Sequence, residues 1–139
     1  MTGTQMNRKH DRNVPASPAP SQPLAGLVVV EIGNSVAAPF AGYVLGDLGA
    51  RLLKIENPKG GDDTRFWGPP FWHGTACTFL ALNRNKHSVA IDLKDEDQRA
   101  ALRRYIVESA DVVFQNMRPG LIRKLHLDGP SLRRDNARL

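Results

Sequence analysis

The sequence predicts an α/β fold in which helices cover both faces of a parallel sheet. Short β-branched segments alternate with helical patterns, and a complete strand–helix–strand unit fits between Leu27 and Glu56. The first of these strands is apolar at almost every position, which is typical of a parallel sheet buried on both faces. The unit also has the length that two parallel strands and their crossover helix need. We predict strands at 27–32, 51–56, 88–92 and 111–115.

The first strand and the loop after it indicate where a ligand would bind. Glu31 is the one charged residue of the strand, and the loop runs from Gly33 to Ala38. Pro39 falls in the first turn of the helix, where a missing N–H group costs little. Ligands commonly bind at the loop that follows the first strand of such a unit. A ligand contact is therefore predicted in this loop.

The helix of this unit carries an apolar stripe, which we expect to face the sheet. Gly42 and Gly46 lie one turn apart and would allow another backbone to approach. Gly49 is suited to end the helix in the left-handed region. The stripe consists of Phe40, Ala41, Val44, Leu45 and Leu48.

A long loop rich in Gly, Pro and Asp follows the second strand. It runs from Asn57 to Thr75 and contains Trp67 and Trp72. Its length is typical of a functional loop. The tryptophans could stack on a ring such as adenine, but loop tryptophans more often pack against their own domain, and we favour packing.

The second half of the chain continues the alternation of helices and strands. A short helix is predicted from Ala76 to Asn83, and the polar turn from Asn83 to Lys86 leads into the third strand. Asp95, followed three residues later by a glutamine, marks the start of a longer helix. Its buried stripe would comprise Ala101, Leu102, Tyr105 and Ile106. After the fourth strand, Pro119 would open a brief helix, and residues 131–139 are helix-like.

Composition places the chain among ordinary globular proteins. It has 139 residues, 41% of them apolar, and no apolar run of membrane-spanning length. We therefore expect a soluble, cytoplasmic domain without a membrane partner. Residues 1–22 are polar and proline-rich and are interpreted as a disordered leader, so the folded part is expected at 23–139.

The net charge of +5 is concentrated at the two ends of the chain. Residues 1–22 carry three basic and one acidic side chain, 23–117 carry ten and eleven, and 118–139 carry six and two. The central part is thus close to neutral. Solvated surface charge explains the basic ends better than a polyanion partner does, and no nucleic-acid binding is predicted.

Cysteine and histidine usage argues against a metal site. Cys77 is the single cysteine, so no intrachain disulfide can form, and its apolar neighbours predict a buried side chain. The four histidines lack metal-ligand spacing, and no metal is expected.

Polar turns follow most of the predicted strands. Because the carboxyl ends of parallel strands share one edge, segments 35–38, 57–61 and 116–118 should line one crevice. The turn at 83–86 precedes its strand and would have to reach that crevice from the side. Cationic donors are available from Arg84, Lys86, Arg118 and Lys124. They predict an anionic, nucleotide-like ligand, although solvated loop cations would give the same pattern.

Several familiar site types do not match. The loop after the first strand, GNSVAA, lacks the glycine fingerprint of dinucleotide-binding proteins, and no Walker sequence is present. Ser35 has no base that the sequence can assign to it, so no Ser-His-Asp constellation is predicted.

In these motifs the chain resembles the N-terminal part of the class III coenzyme A transferases, a family that also includes 2-methylacyl-CoA racemases. The similarity runs from Pro23 to Leu139. His126 stands where the family usually has Gly, and Asn57 where it often has Arg. The similar motifs include Ala38-Pro39, Leu45-Gly46-Asp47-Leu48-Gly49-Ala50, Lys54-Ile55-Glu56-x-Pro58, Gly61-Asp62, Asn83-Arg84-Asn85-Lys86-x-Ser88 and Asn116-x-Arg118-Pro119-Gly120.

The resemblance implies a Rossmann-like large domain, of which 23–139 would be an incomplete N-terminal part. It also implies a homodimer of interlinked chains, with an acyl-CoA as the substrate and no covalently bound cofactor. The CoA contacts that it implies are Val36, Ala37, Asn57, Asn83, Arg84, Asn85, Lys86, Asn116, Met117, Arg118 and Lys124.

The chemistry implied by the resemblance is transfer of CoA from an acyl thioester to a carboxylic acid. In the transferases an aspartate attacks the thioester and forms a mixed anhydride, whereas a His and Asp pair moves a proton in the racemases. No aspartate of this chain matches the family nucleophile, which is expected beyond Leu139. The alternatives are a racemase homologue and a non-catalytic CoA-binding fragment or subunit, and activity of the chain alone is not expected.

Overall fold

The computed structural model describes residues 22–139, so the expected leader lies almost entirely outside the described residues. A single 3₁₀ turn, Asp63–Phe66, follows the second strand. The helices are α1 (Ala37–Asp47), α2 (Cys77–Leu82), α3 (Glu96–Ser109), α4 (Leu121–Lys124) and α5 (Gly129–Arg133). The strands are β1 (Val28–Ile32), β2 (Arg51–Glu56), β3 (Phe71–Trp72), β4 (Thr75–Ala76), β5 (Lys86–Ala90) and β6 (Val112–Gln115).

Four strands form a parallel sheet in the order β5-β2-β1-β6. The predicted α/β class is confirmed, and the second strand has the predicted bounds. The third strand begins two residues earlier than predicted, because Lys86 pairs with Leu52 of β2 instead of belonging to the preceding turn. Strands β3 and β4 pair separately as a short antiparallel hairpin.

The two faces of the sheet enter different apolar clusters. Val30 and Ile32 of β1 contribute to the larger core, together with Leu102 and Ile106 of α3. Val29, one position out of phase, joins a smaller cluster on the other side. Alternate residues of one strand point to opposite faces, so β1 is buried from both sides, as its apolar sequence predicted.

Helix α1 does not bury the stripe predicted for it. Phe40, Val44 and Leu48 are exposed, whereas the small residues Gly42 and Gly46 are buried. A Cβ on Gly42 would lie 2.2 Å from Glu31 Oε2. The helix therefore presents Gly42 to a crowded, charged part of the sheet. Most of its apolar stripe faces outward, whereas Leu45 packs against the smaller cluster. Gly49 ends the helix with a φ of +100°, as predicted.

Helix α3 starts as predicted. Asp95 Oδ1 accepts a hydrogen bond from the Gln98 N–H (3.0 Å), which satisfies one of the open donors of the first turn. Leu102 and Ile106 are buried, but Ala101 is exposed. The buried stripe is thus narrower than predicted.

The long loop after β2 exposes its aromatic side chains. Trp67 is 49% exposed and Trp72 is 64% exposed, so the prediction that they pack against the domain is wrong. Trp72 lies in the two-residue strand β3, which pairs with β4. Cys77 is half-buried, which is less than predicted.

The last part of the chain is less helical than predicted. Helix α4 starts at Leu121, after Gly120 with a φ of +82°. His126 adopts a φ of 54°, in the left-handed region that favours the glycine expected there from the resemblance. Helix α5 begins before residue 131 but ends at Arg133.

Candidate functional site

The carboxyl ends of the parallel strands surround a cavity of about 260 Å³. Residues that follow β1, β2, β5 and β6 line it together with helix α4, and we call it the carboxyl-edge cavity. Asn57 and Met117 are the predicted site residues that line it. Lining residues that the sequence analysis did not single out are Ile91, Asp92, Leu93, Lys94, Leu121 and Leu125.

Two asparagines join the loop after β1 to the loop after β6. The Asn34 N–H donates to Asn116 Oδ1 (3.0 Å), and the Asn116 side-chain amide donates to the Asn34 carbonyl (2.8 Å). Gly33 permits this approach, because a Cβ there would lie 2.5 Å from both Asn116 Oδ1 and Ala38 Cβ. The two loops therefore meet at one edge of the sheet, as predicted.

Other predicted site residues are exposed around this edge. Val36 and Ala37 lie at the start of α1, and Val36 is 46% exposed. Arg118 lies in the loop after β6, and Lys124 lies on the cavity-lining helix α4; both are exposed. These side chains are accessible to a ligand that occupies the cavity and extends over its rim.

The turn before β5 is held mainly by internal contacts. Arg84 forms an ion pair with Asp47 near the end of α1, and its guanidinium stacks 3.9 Å from the centre of the Tyr43 ring. Asn85 also donates to Asp47 Oδ1 (2.9 Å). At the start of β5, the side chain of Lys86 reaches the first turn of α1.

Beneath the β1–α1 loop, Lys54 lies between two carboxylates. Its Nζ is 2.8 Å from Glu31 Oε1 and 2.8 Å from Asp62 Oδ2, and it donates to the Gly33 carbonyl (2.9 Å). The three charged side chains are at most 1% exposed. Glu31 and Lys54 are register partners on β1 and β2, so strand pairing places these opposite charges side by side.

Lys86 extends the same group of charges. Its Nζ lies 2.8 Å from Glu31 Oε2 and donates to the Pro39 carbonyl (2.8 Å) and to Asn83 Oδ1 (2.9 Å). Its side chain is 1% exposed. Burial lowers the pKa of Lys86, although Glu31 acts in the opposite direction. We call this set of four side chains the buried ion cluster: Glu31, Lys54, Asp62 and Lys86.

Asp62 connects the cluster to backbone groups. Its Oδ1 accepts from the N–H groups of Ser35 (3.1 Å) and Thr64 (2.9 Å), and from the Thr64 hydroxyl (2.7 Å). Burial would raise the pKa of Asp62, but the Lys54 ammonium and the hydrogen bonds from Thr64 outweigh this effect and lower the pKa. Asp62 is therefore an ionised carboxylate at neutral pH.

Glu56 is a further buried carboxylate beside the cluster. It accepts two hydrogen bonds from Arg65 (both 2.8 Å), one from Ser88 Oγ (2.6 Å) and one from the Asp62 N–H (2.9 Å). Burial alone would raise the pKa of Glu56, but these hydrogen bonds dominate and lower the pKa to about 2. Both carboxylate oxygens of Glu56 thus accept hydrogen bonds, and three of these bonds hold the segment that follows β2.

The buried ion cluster was not predicted from the sequence. A signal was nevertheless present: Lys54 and Glu56 alternate with Leu53 and Ile55, and so share a face with each other. Glu31 is charged within an otherwise apolar strand. Charged residues on a face that must be buried require buried partners, and this requirement could have directed attention to them.

The arrangement is suited to binding an extended, partly apolar ligand with anionic groups. The cavity supplies an apolar floor, and the exposed side chains around it include the cations Arg118 and Lys124. Within residues 22–139, no group of three or more His, Cys, Asp or Glu side chains is placed to hold a metal ion. No helix of that part is long and apolar enough to cross a membrane.

Comparisons with known proteins give the same family along almost the whole described chain. The model of CoA-transferase family III matches residues 24–139. Succinate–glutarate CoA-transferase of Agrobacterium fabrum is 44% identical over 123 residues, which are 84% of this chain and 30% of that protein. Acetyl-CoA:oxalate CoA-transferase of Acetobacter aceti is 40% identical over 86% of this chain and 30% of its own length.

Solved structures agree with the sequence comparisons. The crystal structure of a CaiB/BaiF family protein from Brucella suis superimposes with a TM-score of 0.77 at 45% identity, covering 84% of this chain and 31% of that one. This chain thus spans about 30% of the length of the relatives that it matches. The family match, the identities and the shared fold lead to one conclusion: the chain belongs to CoA-transferase family III.

Proposed function

We propose that residues 23–139 form the N-terminal part of a CoA-transferase large domain and bind the CoA portion of an acyl-CoA. The observation that carries this proposal is the carboxyl-edge cavity, where the Asn34–Asn116 pair joins two loops beside exposed donors. Ligands of α/β proteins usually bind at this edge of the sheet. The whole enzyme would transfer CoA between an acyl thioester and a carboxylic acid.

CoA combines an apolar and a strongly anionic part, and the rim of the cavity offers groups for both. Arg118 and Lys124 are exposed cations that suit phosphates, while Val36 and Met117 offer apolar contact. A volume of about 260 Å³ lies just below the usual range for a small-molecule pocket. We therefore expect the cavity to hold one part of CoA and the loops around it to contact the rest.

Lys86 would contribute to CoA binding indirectly. Its ammonium already contacts three oxygen atoms, those of Glu31, Pro39 and Asn83, and is almost completely buried. A direct bond to a phosphate would require these contacts to break. Lys86 is better placed to hold the start of α1, where Val36 and Ala37 would contact CoA.

The group that attacks the thioester is proposed to lie outside residues 22–139. An aspartyl anhydride would form when that carboxylate attacks the thioester carbonyl and CoA thiolate leaves. Asp62, the most deeply buried aspartate described, accepts hydrogen bonds on one oxygen and pairs with Lys54 through the other. The transferase names of the relatives favour CoA transfer over racemisation, and we propose that the whole enzyme is a homodimer.

Calorimetric titration of the chain with CoA tests the binding proposal. We expect saturable heat from the wild-type chain and at least a fivefold weaker Kd for Arg118→Ala, since a charged donor is lost. Arg104→Ala is a matched control, because Arg104 is exposed on α3 and does not line the cavity. Absence of binding, or equal effects of the two substitutions, would overturn the proposed site.

A transfer assay tests the proposed position of the nucleophile. Succinyl-CoA and glutarate, chosen after the name of the Agrobacterium relative, would be incubated with the 139-residue chain. We expect CoA binding without formation of glutaryl-CoA. Turnover by this chain that survives further purification would show that the nucleophile is among its own residues.

A further inference from the structure

We propose that Asp62 is a positioning residue, which fixes the β1–α1 loop in its CoA-binding conformation by means of the buried ion cluster. This inference rests on the proposed function, because it assigns the loop a role in holding CoA. Asp62 itself lies after β2, 27 residues from its loop partner Ser35, and is completely buried. It would not touch the ligand.

Three backbone atoms link the loop to the cluster. The Ser35 N–H donates to Asp62 Oδ1 (3.1 Å), the Gly33 carbonyl accepts from Lys54 (2.9 Å), and the Pro39 carbonyl accepts from Lys86 (2.8 Å). Gly33 begins the loop, Ser35 lies near its middle, and Pro39 lies in the first turn of α1. The cluster therefore contacts both the loop and the start of the helix that follows it.

The hydrogen bond from Ser35 to Asp62 is the contact that the chain could least easily replace. Ser35 has a φ of 68°, a left-handed conformation that is unfavourable for a non-glycine residue. A conformation of this kind persists where the surrounding structure holds it. Asp62 supplies such support, and the same oxygen is itself held by Thr64 N–H and Oγ1.

The balance of charge couples the members of the buried ion cluster to one another. Two carboxylates face two ammonium groups inside the protein, and Lys54 is shared between Glu31 and Asp62. Removing one member leaves a buried charge without its counter-ion, which is strongly unfavourable. A change at Asp62 should therefore alter the contacts of Lys54 with Gly33 as well as releasing Ser35.

Hydrogen exchange at the Ser35 amide distinguishes positioning from general stability. Asp62→Ala should increase exchange at Ser35 by more than tenfold relative to the amides of β1, and should weaken the Kd for CoA by at least tenfold. Ile106→Ala is the control, since it truncates a fully buried side chain in the larger apolar core and not in the buried ion cluster. It should destabilise the whole chain while leaving the relative exchange of Ser35 and the Kd of the folded protein unchanged.

Asp62→Asn provides a second variant of nearly the same size. The one carbonyl oxygen of the asparagine can accept from either Ser35 or Lys54. Asp62→Asn should therefore raise the exchange rate at Ser35 and weaken the Kd for CoA, both by less than Asp62→Ala. Unchanged exchange at Ser35, or released exchange with unchanged CoA affinity, would overturn the inference while the proposed function stood. Unfolding of both variants would also overturn it, in favour of a purely structural cluster. Failure of the wild-type chain to bind CoA would instead overturn the proposed function.

Discussion

Gly42 illustrates how a single residue determines which face of α1 meets the sheet. A methyl group at this position would lie 2.2 Å from Glu31 Oε2 and 3.2 Å from Leu52 Cδ1. Gly42→Ala should therefore lower the free energy of unfolding by about 1–3 kcal/mol, even though alanine is the better helix former. Urea denaturation would measure the change.

The matched control for this substitution is Gly46→Ala, one turn further along. A Cβ at position 46 would lie 3.3 Å from the Asn85 carbonyl oxygen, which is a tight contact but much less severe than the one at Gly42. The loss of stability should be clearly smaller than for Gly42→Ala. Equal effects, or stabilisation by Gly42→Ala, would contradict the close approach of α1 to Glu31.

The buried carboxylate of Glu56 gives a prediction about acid stability. Hydrogen bonds overcome the effect of burial and lower its pKa from 4.5 to about 2, so the folded chain binds this proton more weakly than the unfolded chain. The stabilisation is complete above about pH 4.5 and disappears as the pH falls toward 2. A shift of this size corresponds to about 3 kcal/mol.

Urea unfolding at a series of pH values checks this prediction. The free energy of unfolding should fall steadily between about pH 4.5 and pH 2, and Glu56→Gln should reduce the slope because it removes the titrating group. Asp62 and the other carboxyls whose pKa is lowered, Asp47, Asp95 and Asp128, would contribute to the remaining slope. A slope unaffected by Glu56→Gln would contradict the assigned role of this carboxylate.

At the residue scale, only part of the site was predictable. The motifs and the rule for parallel strands brought Asn116 to the β1–α1 loop, because both follow neighbouring strands. The buried contacts of Lys54 and Asp62 were not predictable in the same way. Their identification requires the strand register for Lys54 and the return of a loop for Asp62, and neither is encoded in local spacing.

At the scale of elements, periodicity identified α1 but not its buried face. The pattern shows which residues form an apolar stripe, and does not show whether another part of the protein covers it. The sheet beneath α1 carries charged side chains close to the backbone, so Gly42 and Gly46 occupy the interface and Phe40 remains 52% exposed. The assignment of Lys86 to a turn failed for a related reason, since a buried ion pair made a strand position suitable for lysine.

The packing of helix α3 on the sheet can be tested by mutation, because Leu102 and Ile106 are buried as predicted. Ile106 is completely buried in the larger core, and Ile106→Ala should cost about 2–5 kcal/mol of unfolding free energy. Arg104→Ala, on the exposed side of the same helix, should change it by less than about 0.5 kcal/mol. Thermal and urea denaturation would compare them, and similar small effects would show that α3 is not packed on the sheet as described.

At the scale of the molecule, the alternation of strands and helices predicted the fold class. It did not predict which apolar surfaces remain exposed. The exposed stripe of α1 includes Phe40 (52%), Leu48 (40%) and Val44 (37%). Exposed apolar surface of this kind marks interaction sites. Because the chain spans about 30% of its relatives, we propose that further protein covers this surface in the whole enzyme.

The isolated chain should therefore self-associate. Sedimentation velocity is expected to show the average mass rising with protein concentration, and Phe40→Ser should reduce this association. Leu27→Ser, which removes a less exposed leucine outside the stripe, is the control. A monomer at all concentrations would contradict an uncovered apolar face on α1.

The most direct test of the central claim is a titration of the ¹⁵N-labelled chain with CoA, followed through its backbone amide resonances. We predict saturable shifts concentrated at Asn34–Ala37, Asn57 and Asn116–Arg118, with little change in α5. These segments form the rim of the carboxyl-edge cavity, so their joint response would locate CoA there. No shifts, or shifts confined to other parts of the chain, would contradict the proposed CoA site.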